Sequence, residues 1–263
     1  MKNKNIIVLV PLNIGSYDGN SNEENESADL YLRYIDTKGK DEIWVRNRIN
    51  IFMNYTYKSL INQTNQDFTA LIIYDDKTEN IVISELIKYG GLPENIIFIG
   101  KSIADVFIKE KIAESEYVYF VRIDSDDMYH KSYIQKLYDY TPLPETGALI
   151  NQWAYLYDSF NDKLYVCHAK ILSCYTLIYR TKDYINGEVQ SVITNKLDAQ
   201  MSVANNIIKN EEMEGINYVW LVHSKNTITS IEDWFVNQWT NYLSDPIENE
   251  FIKGCILSEF RGW

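Results

Sequence analysis

Four short apolar runs, joined by three stretches of helical periodicity, constrain this chain more than any other feature. IIVLVPL (6–12), TALIIYDD (69–76), NIIFIG (95–100) and YVYFVRI (117–123) show little polar alternation, the mark of strands covered on both faces. Between the first two, Ile43, Trp44, Ile49, Ile51, Phe52, Tyr55, Leu60 and Ile61 recur at mixed spacings of three and four, predicting a helix over 43–61 that stops near Asn62. IVISELIKYG, closed by Gly90 and Gly91, and SIADVFIKEKIAES, with Ser102 as its cap, predict two more. This order over the first 140 residues predicts βαβ units and a mostly parallel sheet flanked by helices.

The pattern changes after Pro142 and Pro144. GALINQWAYLYD and NDKLYVCHAKILSCYTLIYR alternate like strands and are rich in aromatic residues, predicting a smaller antiparallel extension of the sheet. LDAQMSVANNIIKN (197–210) reads as a helix, YVWLVHS (218–224) as a strand and IEDWFVNQWTNYLSD (231–245) as another helix. With 46% hydrophobic residues, no internal repeat and no flexible linker, one domain over 1–263 is expected, divided near residue 140.

A net charge of -12 argues against a nucleic-acid partner, which would call for a basic face to displace counterions. The acidic connection over 14–42 reads as a solvated loop. Cys167, Cys174 and Cys255 form no CxxC pair and suit reduced thiols in a cytoplasmic setting. The opening MKNKNIIVLVPLNIG holds Pro11 and lacks a cleavage site, so it reads as a first strand rather than an export signal. No apolar run approaches the ~20 residues needed to span a bilayer, and any membrane association is expected to be peripheral.

Two of the strands end in carboxylates, one at Asp75 and Asp76, the other at Asp124, Asp126 and Asp127. Ligands of open parallel sheets bind beyond the carboxyl ends of the strands, so both sets are expected to line one acidic crevice. There, a magnesium or manganese ion would sit between protein carboxylates and substrate phosphates and neutralise a departing diphosphate. The plain alternative is an acidic helix cap. An EF-hand loop counted from Asp124 fails, because Tyr129 stands where glycine is needed and Gln135 where glutamate belongs. No GxGxxG follows the first strand and no GxxxxGK[ST] occurs.

SLINQTNQDFTALIIYDD (59–76) resembles a segment of nucleotide-sugar glycosyltransferases with the GT-A fold, and YVYFVRIDSDDMYHKSYIQKL (117–137) resembles their DxD strand and helix. The more specific likeness is to the rhamnosyltransferase family, through Trp44, Arg48, the run from Arg122 to Asp127, and WLVHSKN (220–226). It covers most of 43–140 and a short part near 220. The resemblance implies a GT-A (Rossmann-like) fold whose front half (1–140) binds the donor and whose back half (141–263) faces the acceptor. It implies metal-dependent, inverting transfer of a sugar, rhamnose by the family's name, from a nucleoside diphosphate sugar to a hydroxyl of a glycan or glycolipid. Asp124 and Asp126 would then hold Mn2+ or Mg2+, His223 would complete the shell, Asp127 would lie near donor sugar or metal, and Asp75 or Asp76 would contact base or ribose.

An inverting reaction needs a base for the acceptor hydroxyl. Related enzymes place such an acid about where Asp198 stands, although Asp198 also reads as a helix cap, and Glu188, Glu232 and Asp233 compete for the role. Arg46, Arg48, Arg122 and Lys225 could bring positive charge to the diphosphate, and Arg122 could instead brace the acids beside it. His130 reads as helix surface and His168 as strand packing. Trp153, Tyr155 and Tyr157 are nominated as an acceptor surface. Two rivals remain: a catalytically inactive nucleotide- or carbohydrate-binding module on the same fold, and, behind it, a nucleotidyltransferase, whose basic glycine-rich loop VPLNIGSYDGNSNEENE lacks.

Overall fold

A computed structural model describes residues 3–14, 41–170, 174–189, 208–223, 231 and 239–262. In chain order its elements are β1 (Lys4–Pro11), α1 (Glu42–Asn54), α2 (Thr56–Ile61), β2 (Thr69–Tyr74), α3 (Glu79–Leu86), β3 (Ile96–Gly100), α4 (Lys101–Ile112), β4 (Tyr117–Arg122), β5 (Met128–Tyr129), α5 (Tyr133–Asp139) and β6 (Ala148–Ile150). They continue with β7 (Trp153–Asp158), β8 (Lys163–Ala169), β9 (Tyr175–Arg180), α6 (Thr181–Ile185), β10 (Asn210–Glu212), β11 (Tyr218–Val222), β12 (Thr240–Leu243) and α7 (Glu250–Arg261).

The apolar runs end up where their lack of alternation requires. Among the described residues a seven-stranded sheet runs in the order β10, β6, β9, β4, β1, β2, β3, with β4, β1, β2 and β3 mutually parallel and β9 antiparallel to both β4 and β6. Along β1, Ile6, Val8 and Val10 face one way, into a core with Val45, Ile49 and Phe52 of α1 and Val82 of α3. Ile7 and Leu9 face the other way, onto Ala104, Ile108 and Ile112 of α4. Helices on both faces leave no solvated side for a polar residue, and each fully buried aliphatic side chain contributes roughly 1.5–3 kcal/mol. The mixed, mostly parallel α/β architecture expected from the sequence is the one the chain adopts.

The antiparallel extension takes two forms. β9 and β6 lengthen the main sheet beyond β4, and among the described residues a second sheet of five strands runs β12, β8, β7, β11, β5. Its inner face, with Ala154, Leu156 and Cys167, joins the main core; its outer face, with Leu164, Val219 and Leu221, lies under Leu257 and Phe260 of α7.

Three expectations need correction. The helix over 43–61 is broken at Tyr55 (φ -123, ψ -76), whose ring packs under the guanidinium of Arg261. That turn frees α2 to aim the Thr56 hydroxyl at the Asp124 carbonyl, 3.4 Å away. Thr240–Leu243, within the helix expected over 231–245, is instead an edge strand antiparallel to β8, tertiary pairing having overridden local periodicity; residues 232–238 lie outside the described residues. Asn210, the end of the helix expected over 197–210, opens β10, and 197–207 are likewise outside. One helix was missed, α7, although its ends are signposted: Asn249 caps it by accepting from the Ile252 N–H, and Gly262 closes it at φ +67. Among the described residues no helix is long and apolar enough to cross a membrane.

Candidate functional site

The chain leaves β1 for β2 and β3 on one side, then returns to place β4 on the other, so the strand order reverses between β1 and β4. Connections diverging from two adjacent parallel strands open a crevice at their carboxyl ends, the usual binding place in sheets of this kind. The RIDSDD run leaves β4 at that point. Its last residues turn into β5, which pairs with β11 of the second sheet, and the turn is therefore wedged between the two sheets. Ser125, Asp126 and Asp127 are at most 4% exposed, while the Asp124 side chain keeps 29%.

Burying carboxylates costs several kcal/mol each unless they are paired, and the partners come from three separate elements. Arg48 reaches from α1, its Nε donating to Ser125 Oγ (2.7 Å) and its Nη1 and Nη2 donating to the two oxygens of Asp126 (3.2 Å each). His223, the residue after β11, brings Nε2 to 3.3 Å from Asp126 Oδ2. Burial alone would raise the Asp126 carboxyl, but the Arg48 guanidinium and the His223 ring prevail and hold it at about 2. Arg122, itself 7% exposed, donates to Asp124 (2.9 Å) and lies over the Tyr175 ring. That geometry is the brace named as its second role.

Asp127 is the least reconciled of the acids. Its Oδ1 accepts from the Leu221 N–H at 3.0 Å, while Oδ2 is buried with no hydrogen-bond partner among the described residues. Burial, with the charges of Asp126 and Asp124 alongside, pushes its carboxyl well above the usual range. Cys167, on the inner face of β8, has its thiol pushed up to about 12 by burial and by Asp127.

Carboxylates and an imidazole are donor types that magnesium and manganese accept, and the orphaned Asp127 oxygen is one that a cation would satisfy. The donor set thus suits a divalent ion in kind. Among the described residues, no three His, Cys, Asp or Glu side chains form a group that could hold one. Arg48 engages both oxygens of Asp126, and Arg122 engages Asp124.

The second acidic strand end is built otherwise. β2 flanks β1 on the side away from β4, so its carboxyl end opens at the same sheet edge. Asp75 accepts from its own turn, at the Lys77 N–H, and Asp76 accepts from the N–H and hydroxyl of Ser102 at the start of α4. Gly100 permits that approach, since a Cβ there would collide with the Asp76 carboxylate. Ser102, expected to cap the helix, is thus itself held by Asp76.

Arg46 is taken by Glu42 of its own helix and by Glu85 of α3 and, contrary to expectation, is committed to the helix layer. His130 precedes α5, half-buried edge-on to Phe260 (5.2 Å), rather than on a helix surface. His168 packs on β8 against Trp153 as expected. Tyr157 is buried and Tyr155 half-buried against Phe260, so of the nominated acceptor rings only Trp153 stands open, at 40%. Glu188 is exposed in a turn after α6. Asp198, Lys225, Glu232 and Asp233 lie outside the described residues.

Sequence reasoning missed Asn13, 2% exposed at the end of the first strand, whose Oδ1 accepts from the Asp75 N–H (2.9 Å) and whose Nδ2 donates to Thr78 Oγ1 (3.0 Å). Its place directly after the first apolar run was the available signal. Tyr129, whose hydroxyl donates to the Arg122 carbonyl at 2.5 Å, also went unnoticed, being indistinguishable in sequence from an ordinary core tyrosine.

No family model matches the chain, and no curated protein matches it. Among solved structures, the 1–349 portion of S. aureus TarS in complex with UDP-GlcNAc is similar at 13% identity, with a TM-score of 0.47 over 87% of this chain and 61% of that one. A nucleotide-diphospho-sugar transferase from Desulfovibrio desulfuricans G20 is similar at 14% identity and a TM-score of 0.34, over 84% and 82% of the two chains. The 4-diphosphocytidyl-2C-methyl-D-erythritolsynthase from Anaerococcus prevotii DSM 20548 is similar at 15% and 0.32, over 88% and 92%. This chain spans 61% of the length of that TarS portion.

Proposed function

We propose that the chain is a nucleotide-sugar glycosyltransferase acting in the cytoplasm, moving a sugar, rhamnose among the candidates, from a nucleoside diphosphate to a hydroxyl of a glycan or glycolipid. One observation carries the reading: the RIDSDD run, the stretch that resembles the GT-A donor motif, leaves β4 at the reversal point between β1 and β4. In this reading the donor diphosphate lies over the carboxyl ends of those strands. Arg48 and Arg122 hold the acids in place and set positive charge beside the phosphates. Asp75, steadied by Asn13, faces the base or ribose. A divalent ion, if bound, would take Asp124, Asp126 and His223 as ligands in place of the Arg48 and Arg122 contacts, and would supply charge against the departing diphosphate. Asp127 borders the donor sugar, Lys225 adds charge, and Asp198 takes the acceptor proton as direct displacement inverts the anomeric centre.

The test is thermal shift of the full chain with nucleoside diphosphates and nucleotide sugars, dTDP-rhamnose included, each with and without manganese, followed by product analysis on any that bind. A ligand that binds the folded state alone stabilises it by about 2.7 kcal/mol at a hundredfold excess over Kd and so raises the melting temperature. A flat panel on folded protein removes the reading. The binding-module alternative is favoured by one observation, the occupation of both Asp126 oxygens by Arg48; nucleotide-sugar binding without turnover on any glycan tested selects it.

A further inference from the structure

The outer face of the second sheet carries a row of rings that the catalytic reading does not use. Strand register sets Trp153 of β7 opposite His168 of β8, and His168 opposite Tyr242 of β12. Residues opposite one another on neighbouring strands project to the same face, and Trp153 meets both of the others. Trp153 and His168 meet edge to face with centroids 4.9 Å apart, and Trp153 and Tyr242 stand at 6.1 Å. At the sheet edge, the side-chain nitrogen of Asn241 lies 3.2 Å from His168 Nδ1, fixing the imidazole.

α7 covers the other end of this face, where Tyr155 packs on Phe260, and leaves the row open. Trp153 remains 40% exposed and Tyr242 50%. The row is also separate from the acid cluster. It lies on the opposite side of the sheet from Cys167, which neighbours Asp127, and at the start of β7, whereas His223 follows the far end of the parallel strand β11.

We propose that this row binds a neutral saccharide, holding a unit of the acceptor glycan away from the reacting end. A pyranose offers a face of C–H bonds and a rim of hydroxyls. Ring faces carry negative quadrupole charge that draws such C–H groups, while the indole N–H, the phenol, the imidazole and the Asn241 amide supply partners for the hydroxyls. The net charge of -12 turns the choice away from anionic glycans. The assignment rests on the transferase reading only for the identity of the glycan as acceptor.

The experiment is affinity electrophoresis of the full chain in native gels containing dextran, mannan, galactan, rhamnan or amylose, with Trp153→Ala and Tyr242→Ala run alongside. At least one gel should retard the wild type, and either substitution should weaken that affinity about tenfold. Both side chains are exposed enough for the variants to fold, and each should keep the wild-type thermal shift with nucleotide. Wild-type migration unchanged in every gel overturns the proposal, as does equal retardation of Trp153→Ala. Loss of a dimer in Trp153→Ala, seen by light scattering, would instead make the row an interface between copies. Retardation without any nucleotide shift removes the transferase reading and leaves this surface standing; a nucleotide shift without retardation does the reverse.

Discussion

Two strand ends carry acid pairs at the same edge of the main sheet, and they are built on opposite principles. At the end of β2, Asp75 and Asp76 stay near solvent and spend their oxygens on the N–H groups of adjacent turns and helices. At the end of β4, Asp126 and Asp127 are buried and their partners arrive from α1 and β11, far away in sequence. The first arrangement is local and inexpensive. The second is a long-range charge network that holds two sheets and a helix in register, and removing one member strands the others in a low-dielectric interior.

The sharpest way to break this comparison is Arg48→Ala. It leaves Asp126 buried with His223 as its remaining described partner, and urea unfolding should report a loss of about 3 kcal/mol; a loss within the range of a surface pair would mean that the network carries little of the fold. At the β2 end, Asp76→Ala removes only the cap on α4 and should cost about 1 kcal/mol by the same measurement. A cost equal to that of Arg48→Ala would erase the distinction.

Glu85 offers an intermediate case, buried but paired with the more exposed Lys88 and Arg46. Lys88 and, against the opposing effect of burial, Arg46 hold its carboxyl below the usual range. A depressed folded-state value stabilises the fold above the ordinary glutamate range, and that contribution is lost as pH falls through the depressed value. Wild type should therefore exceed Glu85→Gln in stability at neutral pH by less than about 1 kcal/mol. The two unfolding curves should converge in acid; a gap that persists there would point to packing rather than charge.

Legibility in the sequence followed the same divide between local and long-range. Strands β1 to β4 could be read because burial on both faces writes itself into every residue of a run such as IIVLVPL. The edge strand β12 could not, because Thr240–Leu243 becomes a strand only by pairing with β8. The acids of the candidate site were legible as a cluster, and their placement at the end of β4 followed from the alternation of elements. Their counter-charges were nominated too, yet nothing in the spacing tells that Arg48 grips Asp126 while Arg46, two residues earlier on the same helix, turns to Glu85.

The sequence by itself determined the alternation of elements, the parallel core and the carboxylates that leave its strands, because apolar periodicity and the chemistry of side chains are properties of neighbouring residues. Only the tertiary structure decided which acids are buried, which arginine and histidine answer them, and which aromatic rings stand open on the second sheet. Those outcomes depend on distances between residues up to about a hundred positions apart, as between Asp126 and His223, and on the water that packing excludes from between them.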